Sequence, residues 1–372
     1  MSGATLDVPV MGRGGVPAAG ASAVVLNVTV TEPRAGGHLT VWPTGEPRPL
    51  ASNLNFGERQ TVANLVTVKV GGQGSVSLYN AAGAGHLIAD VAGWYGPSAS
   101  PAGSRFHSLA PARLLDTRAG NGAPVALVAT AAPLDLQVTG RGGVPATGVS
   151  AVVLNLTVTE PLLGGFLTVW PTGEARPLAS NLNFEPFGTV PNLVTVKVGA
   201  GGKVSLYHSG HVAHLVADVA GWFGPSGEAA GARYHPLVPA RLVDTRIPAL
   251  LWPAGVPGPP PGYSGGFIYP NVVQAGASVD VQVAGEGGVP AVGASAVIIN
   301  VTAVNPAGIG FLTVWPAGQP RPLASNLNFL TGGTVPNLVV AGLGAGGMVS
   351  IYNGSGSTVH LVADVAGWYG AE

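Results

Sequence analysis

Short apolar stretches bounded by Gly, Pro or Asn follow one another along the chain. In its middle third they are AVVLNLTV at 151–158, GFLTVWPTG at 165–173, NLVTVKVG at 192–199 and HLVADVAGWFG at 214–224. Enrichment in Val, Leu, Thr and aromatic residues between such boundaries predicts β-strands. No window free of Gly and Pro shows the i, i+3, i+4, i+7 apolar stripe of an amphipathic helix. We therefore predict an all-β protein with almost no helix.

The same series of segments occurs three times. The octapeptide PLASNLNF stands at 49–56, 177–184 and 322–329. A shift of 128 residues superimposes the first copy on the second without a gap, and the third copy follows at a shift of 145 to 146 residues. This period exceeds the roughly 20–50 residues of a solenoid unit and has the size of a domain. We therefore predict three tandem homologous domains, each an antiparallel β-sandwich of the jelly-roll or immunoglobulin-like type.

A second recurring segment lies between the repeats. ARLLDTR at 112–118 matches ARLVDTR at 240–246, and no such segment precedes the first repeat. A Pro- and Gly-rich insertion at 248–267 predicts a surface loop of extended character. The predicted domains are 1–97, which lacks a DTR segment, 98–225, which has one, and 226–372, which has one together with the insertion.

The composition narrows the function classes. Charged residues make up 9% of the chain and the net charge is −1, whereas soluble domains usually contain about 25% charged residues. No basic patch predicts nucleic-acid binding, and no long apolar segment predicts membrane insertion. The chain contains no cysteine, which excludes disulfides and thiolate metal sites. Its first ten residues lack the basic and apolar regions of a signal peptide.

Several motifs in combination resemble a known tandem repeat. They are ARLLDTR, GRGGVP, AVVLNLTVTEP, LTVWP, ASNLNF and HLVADVAGW. This series is similar to a repeat that is common in exported and cell-surface proteins of actinobacteria and some other bacteria, and the resemblance covers almost the whole chain. It implies an extracellular or cell-surface location in a bacterium and an accessory role. It implies no ligand and no cofactor.

The repeated octapeptide is the candidate ligand site. Alternation along a strand places Asn53 and Asn55 on one face, where their amides could bind sugar hydroxyls beside an indole such as that of Trp42. The alternative, which we favour, is that these asparagines satisfy backbone groups at a strand end or bulge. In the three copies the candidate glycan-binding residues are Trp42, Asn53, Asn55, Trp170, Asn181, Asn183, Trp315, Asn326 and Asn328.

An aspartate lies inside each apolar ADVAGW segment, at Asp90, Asp218 and Asp364. A carboxylate in such surroundings predicts a buried side chain paired with Arg or with backbone N–H groups. A histidine stands four residues earlier in every copy. Two ligands do not make a metal site, and no third recurs at a fixed spacing, so we predict structural ion pairs and no metal.

The LDTR motifs place Asp116 two residues before Arg118, and Asp244 two residues before Arg246. Through charge-assisted hydrogen bonds these side chains could clamp a neighbouring strand. No serine stands in a nucleophile elbow, since the G-x-S-x-G match GYSGG at 262–266 lies in the Pro- and Gly-rich insertion. No H-E-x-x-H motif occurs, and the Gly-rich GRGGVP segments open no helix that could bind phosphate. We predict that the chain is not an enzyme and needs no cofactor.

Two function hypotheses remain. The first is a structural protein of the cell exterior that assembles with itself into a filament, sheath or surface layer, since the chain combines a tandem array with low charge. The second is an array of glycan-binding modules for the cell wall, an adhesin or lectin whose weak sites would gain by avidity. A hydrolase is a third possibility, for which no motif speaks.

The shortage of DTR segments adds a hypothesis about partners. If each DTR segment completes the repeat that follows it, the first repeat lacks an edge strand, and an open sheet edge is a template for another chain. Strand addition of this kind joins polypeptides. The sequence therefore predicts a homo-oligomer or polymer in which the first repeat meets the third repeat of the next copy head to tail.

Overall fold

Twenty-four β-strands make up nearly all of the regular structure in this computed structural model. It describes residues 3–96, 103–130, 132–225, 231–246 and 271–371. The insertion predicted as a surface loop at 248–267 lies outside these residues. Within the described ranges, helix is limited to three turns of 3-10 type, at Gly72–Gly74, Ala200–Gly202 and Ala345–Gly347. The all-β prediction with almost no helix is confirmed.

The strands repeat in the order that the sequence repeats. The first repeat contains β1 (Ala4–Pro9), β2 (Ala23–Thr31), β3 (Gly37–Pro43), β4 (Leu54–Phe56), β5 (Val62–Lys69), β6 (Ser75–Asn80) and β7 (His86–Tyr95). The second contains β8 (Arg105–Asp116), β9 (Val128–Ala129), β10 (Leu134–Gln137), β11 (Ala151–Thr159), β12 (Gly165–Pro171), β13 (Leu182–Phe184), β14 (Thr189–Lys197), β15 (Lys203–His208) and β16 (Val212–Gly224). The third contains β17 (Arg233–Asp244), β18 (Ser278–Gln282), β19 (Ala294–Val304), β20 (Gly310–Pro316), β21 (Leu327–Phe329), β22 (Thr334–Gly342), β23 (Met348–Asn353) and β24 (His360–Gly370).

Each repeat forms two small antiparallel sheets. The sheets of shorter strands have the orders β1-β6-β3-β4, β10-β15-β12-β13 and β18-β23-β20-β21. The sheets of longer strands, called the long-strand sheets below, have the orders β5-β2-β7, β14-β11-β16-β8 and β22-β19-β24-β17, and β9 pairs with the end of β16. The orders of the second and third long-strand sheets each contain one more strand than that of the first, and the DTR segments form these additional strands. These two strands, β8 and β17, are called the DTR strands below.

The prediction of three β-sandwich domains, jelly-roll or immunoglobulin-like, is wrong. The six small sheets are instead the blades of a six-bladed β-propeller, to which each repeat contributes two. A cluster of buried side chains belongs to each repeat, and a fourth cluster combines residues from all three. Because all three repeats contribute to this central cluster, the six blades share one core.

The apolar runs explain why the repeats do not remain separate. Alternate residues of a strand point to opposite faces. In β2, Val24, Leu26 and Val28 pack in the cluster of their own repeat, while Ala23 and Val25 pack in the central cluster. The second apolar face is therefore covered by other copies of the repeat. A sequence pattern shows that both faces must be buried, but it does not show what covers them.

The central cluster leads to a prediction about cooperativity. Ile298 is buried in this cluster, and truncation of a buried isoleucine to alanine usually costs about 2–5 kcal/mol. We expect Ile298→Ala to lower the free energy of unfolding by that amount and to leave one cooperative transition, measured by chemical denaturation. The control Val292→Ala, at a side chain that is 87% exposed, should change stability by less than about 0.5 kcal/mol. Separate unfolding of the third repeat alone would contradict a shared core.

Candidate functional site

Six buried asparagines join the repeats. In each of three equivalent contacts, the side-chain amide of one asparagine donates a hydrogen bond to the side-chain oxygen of an asparagine in another repeat. The pairs are Asn64 to Asn300 at 3.1 Å, Asn192 to Asn27 at 3.1 Å and Asn337 to Asn155 at 2.9 Å. The first repeat donates to the third, the second donates to the first, and the third donates to the second. The contacts therefore close a ring, called the asparagine ring below.

Each member of the asparagine ring makes further bonds to backbone groups. The amide of Asn192 also donates to the carbonyl of Asn181, and its oxygen accepts from the backbone N–H of Leu65 in the first repeat. The amide of Asn27 donates to the carbonyl of Ser180 at 2.6 Å. Ser180 and Asn181 belong to the repeated octapeptide. The carbonyl of Ser180 connects the first repeat to the second, whereas that of Asn181 holds Asn192 within the second repeat.

The first asparagine of the octapeptide has an internal structural role. Asn53 is buried, and its side-chain oxygen accepts a hydrogen bond from the backbone N–H of Val41 at 2.7 Å. Asn181 and Asn326 make the same bond in their own repeats. The side-chain oxygen of Asn55 accepts from the Ser52 hydroxyl at 3.0 Å. Asn183 and Asn328 make the equivalent contact with the serine of their copies.

The repeated tryptophans lie in the interior. Trp42 is 5% exposed, and Trp170 and Trp315 are each 6% exposed. The indole N–H of Trp42 donates to the backbone carbonyl of Glu46 at 2.9 Å, and the other two indoles make the same turn contact. This geometry differs from the exposed aromatic platform that glycan binding at these positions requires.

The DTR strands supply the ion pairs of the second and third repeats. Strand β8 lies antiparallel to β16 and opposes Arg113 to Asp218. The Arg113 guanidinium donates to both oxygens of Asp218, at 2.6 and 3.2 Å, and to Asp116 at 2.8 Å. Burial raises the pKa of Asp218, and the Arg113 guanidinium partly offsets this effect. Arg241 makes the same bonds to Asp364 and Asp244 in the third repeat.

The LDTR residues contact one another as well as the adjacent strand. The Arg118 guanidinium donates to Asp116 at 2.9 and 2.8 Å and lowers the pKa of Asp116 to about 2. The clamp onto the neighbouring strand comes from Thr117, whose hydroxyl accepts from the backbone N–H of Leu215 at 3.1 Å. That hydroxyl also lies 2.9 Å from Nδ1 of His214. Asp116 and Arg118 thus form an ion pair, and Asp116 is linked to the adjacent strand through Arg113 and Asp218. Arg246 and Asp244 pair with each other in the same way.

The first repeat lacks this arrangement. No described strand pairs with β7 on the side where β8 covers β16 and β17 covers β24. Asp90 is half-buried instead of buried, and partial burial alone raises its pKa. The prediction that all three aspartates are buried in ion pairs is correct for Asp218 and Asp364 and wrong for Asp90. The cause is that no described strand lies on that side of β7 to bring an arginine to Asp90.

None of the ring asparagines is among the candidate site residues predicted from the sequence. The signal was an Asn at the same place in each strongly apolar strand, as in AVVLNLTV. A buried amide requires partners, and here the partner lies in another repeat. Among the described residues no group of three or more His, Asp or Glu side chains could hold a metal ion, and no described helix is long and apolar enough to cross a membrane.

Comparisons with known proteins add little. No family model and no curated protein matches the chain. Solved structures match at low similarity: Sulfolobus Turreted Icosahedral Virus at 8% identity and TM-score 0.19, covering 98% of this chain and 82% of that chain. The tandem CBM22-1–CBM22-2 domain of Paenibacillus barcinonensis Xyn10C is 12% identical at TM-score 0.19, covering 72% of this chain and 100% of that one. Neither likeness is close enough to carry a functional argument.

The asparagine ring can be tested by one truncation. In Asn192→Ala, the Asn27 oxygen, the Leu65 N–H and the Asn181 carbonyl each lose a hydrogen-bond partner in a buried region. Buried groups left unpaired cost about 1–3 kcal/mol each, so we expect a loss of at least about 2 kcal/mol in the free energy of unfolding. The matched control Asn183→Ala removes one weak contact of 3.4 Å and should cost less than about 1 kcal/mol. Equal effects in denaturant titrations would contradict this role of the ring.

The difference between the repeats gives a second test. Asp218→Ala leaves the Arg113 guanidinium without its buried partner, and breaking such a pair costs about 3–5 kcal/mol. Asp90→Ala is the matched substitution in the first repeat, where no described arginine pairs with the carboxylate. We expect it to change the free energy of unfolding by less than about 0.5 kcal/mol. Equal losses, measured by thermal and chemical denaturation, would show that Asp90 has a partner of similar strength.

Proposed function

We propose that this chain is a non-catalytic structural protein of the bacterial exterior that joins a larger assembly through the open edge of its first repeat. The observation that carries the proposal is the difference between the three long-strand sheets. Two of them end in a DTR strand, whereas the third ends at β7 in the part of the chain that the structure describes. An open edge presents unpaired N–H and C=O groups to any extended segment that fits.

The surroundings of β7 support a role in assembly. Ile88 and Trp94 on this strand are 47% and 45% exposed, although the ADVAGW segments of the other repeats are largely buried. Proteins usually protect a sheet edge with charged residues, proline or a covering element. An edge that keeps large apolar residues exposed is typical of an interaction surface.

The ring geometry changes the predicted mode of assembly. The first and third repeats already meet within one chain, through the Asn64–Asn300 pair and through Tyr95 and Tyr369, whose hydroxyls are 2.5 Å apart. The contacting faces of the first and third repeats are therefore buried within one chain and cannot bind the next copy. The proposed joint is the edge of β7, which lies outside these contacts.

The location and the accessory role are expectations from the resemblance of the repeats. The glycan-binding alternative receives less support, because the tryptophans and asparagines that it requires are used inside the fold. A surface component needs a stable body and a joint. The asparagine ring and the central cluster stabilise the fold, and the edge of β7 is the proposed contact surface.

The proposal can be tested in the bacterium that produces the protein. Lysine on an edge strand opposes strand pairing, so we expect Ile88→Lys to release the chain from a high-mass surface fraction into the medium as a monomer. The matched control is Ile309→Lys, at a side chain 70% exposed in the third repeat, which should remain in the fraction with the unmodified chain. Size-exclusion chromatography and negative-stain microscopy provide the measurement. A chain retained on wall polysaccharide regardless of the substitution at β7 would favour the glycan-binding alternative.

A further inference from the structure

We propose that the edge of β7 binds an extended segment of the pattern aromatic–His–x–Leu–x–x–x–Arg–Leu–x–Asp–Thr–Arg, donated by another polypeptide. This inference specifies the partner of the assembly joint and rests on the proposed function. The chain itself shows the fit, because its two DTR strands follow this pattern and cover the two equivalent edges.

The arginine of the pattern has a prepared acceptor. In the second repeat, Arg113 donates to Asp218 at 2.6 Å and also to the backbone carbonyl of Leu323 in the third repeat at 3.1 Å. The arginine of the third repeat makes the same two kinds of bond. By the cyclic order of the repeats, the corresponding groups for β7 are the carboxylate of Asp90 and the carbonyl of Leu178. A donated arginine would give the half-buried carboxylate the charge-assisted bonds that its counterparts have.

The histidine of the pattern has a stacking partner. The ring of His107 lies on that of Trp222 with centroids 3.8 Å apart and an interplanar angle of 4°. His235 lies on Trp368 at 3.8 Å and 6°. Trp222 is consequently 7% exposed, whereas Trp94 at the same position of β7 is 45% exposed. The indole of Trp94 thus presents the face that a donated histidine would cover.

The aromatic residue of the pattern has an open socket. A methyl group placed on Gly221 would approach the ring of Phe106 to 2.4 Å, and one on Gly367 would approach Tyr234 to 2.3 Å. The aromatic rings therefore rest directly on these glycines. At Gly93, the equivalent residue of β7, a methyl group would have nothing within 4 Å. The first repeat has kept the glycine and lacks the ring.

The aromatic residues of the two DTR strands contact aromatic residues at the ends of β24 and β7. Phe106 stacks on Tyr369 with centroids 4.2 Å apart, and Tyr234 lies 4.2 Å from Tyr95. Each donated aromatic therefore contacts the strand-end aromatic of another repeat. A ring donated beside β7 would complete the cycle by meeting Phe223.

The count of strands argues against a second copy as the donor. The described residues contain three acceptor edges, at β7, β16 and β24, and two DTR strands, at β8 and β17. Exchange of strands between copies would fill one edge only by opening another, so it gains no contact. Direct antiparallel pairing of two β7 edges about their midpoint would bring two Asp90 carboxylates together, and like charges directly opposite destabilise a sheet. The donor is therefore a segment with the DTR pattern that lies outside residues 1–372.

The test uses the full chain and a fluorescent synthetic peptide with the sequence of residues 103–119. We expect saturable binding with one peptide per chain, measured by fluorescence anisotropy and calorimetry. Gly93→Val fills the socket and should weaken binding at least about tenfold, as should Arg113→Ala or Phe106→Ala in the peptide. The matched control Gly356→Val, at another glycine with nothing within 4 Å, should bind like the unmodified chain.

Hydrogen exchange gives a second measurement that does not depend on variants. The backbone amides of β7 should become protected when the peptide is added, because strand addition pairs them. Absence of saturable binding, or binding that Gly93→Val leaves unchanged, would overturn the inference, as would a chain that dimerises through β7 and excludes the peptide. Peptide binding by a chain that never enters a surface assembly would instead overturn the proposed function alone.

Discussion

A buried amide must find hydrogen-bond partners, and in this protein the partners lie in another repeat. The side chains of Asn64, Asn192 and Asn337 each donate across a repeat boundary. Leaving such a group unpaired costs more than a made bond gains, so the three repeats assemble in a single register. The position of the octapeptide, the central cluster and the order of the six blades all depend on this closure.

The contacts between the repeats do not depend on a DTR strand in the first long-strand sheet. Neither the asparagine ring nor the apolar side chains that β2 and β5 contribute to the central cluster need a DTR strand beside β7. The ring can therefore form with one edge open. The residues of the first repeat that a DTR strand would contact differ from the residues that join the three repeats. In the assembly that we propose, this separation lets the first repeat bind a partner while the edges of the other two repeats are covered by DTR strands.

The first repeat preserves the chemistry of an acceptor. Gly93, Trp94 and Asp90 match residues that contact a DTR strand in the other repeats. In those repeats a glycine receives a ring, an indole receives an imidazole and a carboxylate receives a guanidinium. The Asp90 carboxylate carries the desolvation that raises its pKa without the arginine that offsets it in the second repeat.

The sequence by itself determined the strands, their threefold repetition and the burial of Asp218 and Asp364 with hydrogen-bond partners. These are properties of periodicity and of a carboxylate within an apolar segment, which are visible along one chain; that Arg113 is the partner of Asp218 came from the structure. Only the tertiary structure decided that the second apolar face of β2 meets other repeats, that Trp42 is internal and that the sheets form a propeller. The physical reason is that an apolar or amide side chain specifies that it must be covered and paired, while the surface that covers it is chosen by how the repeats dock.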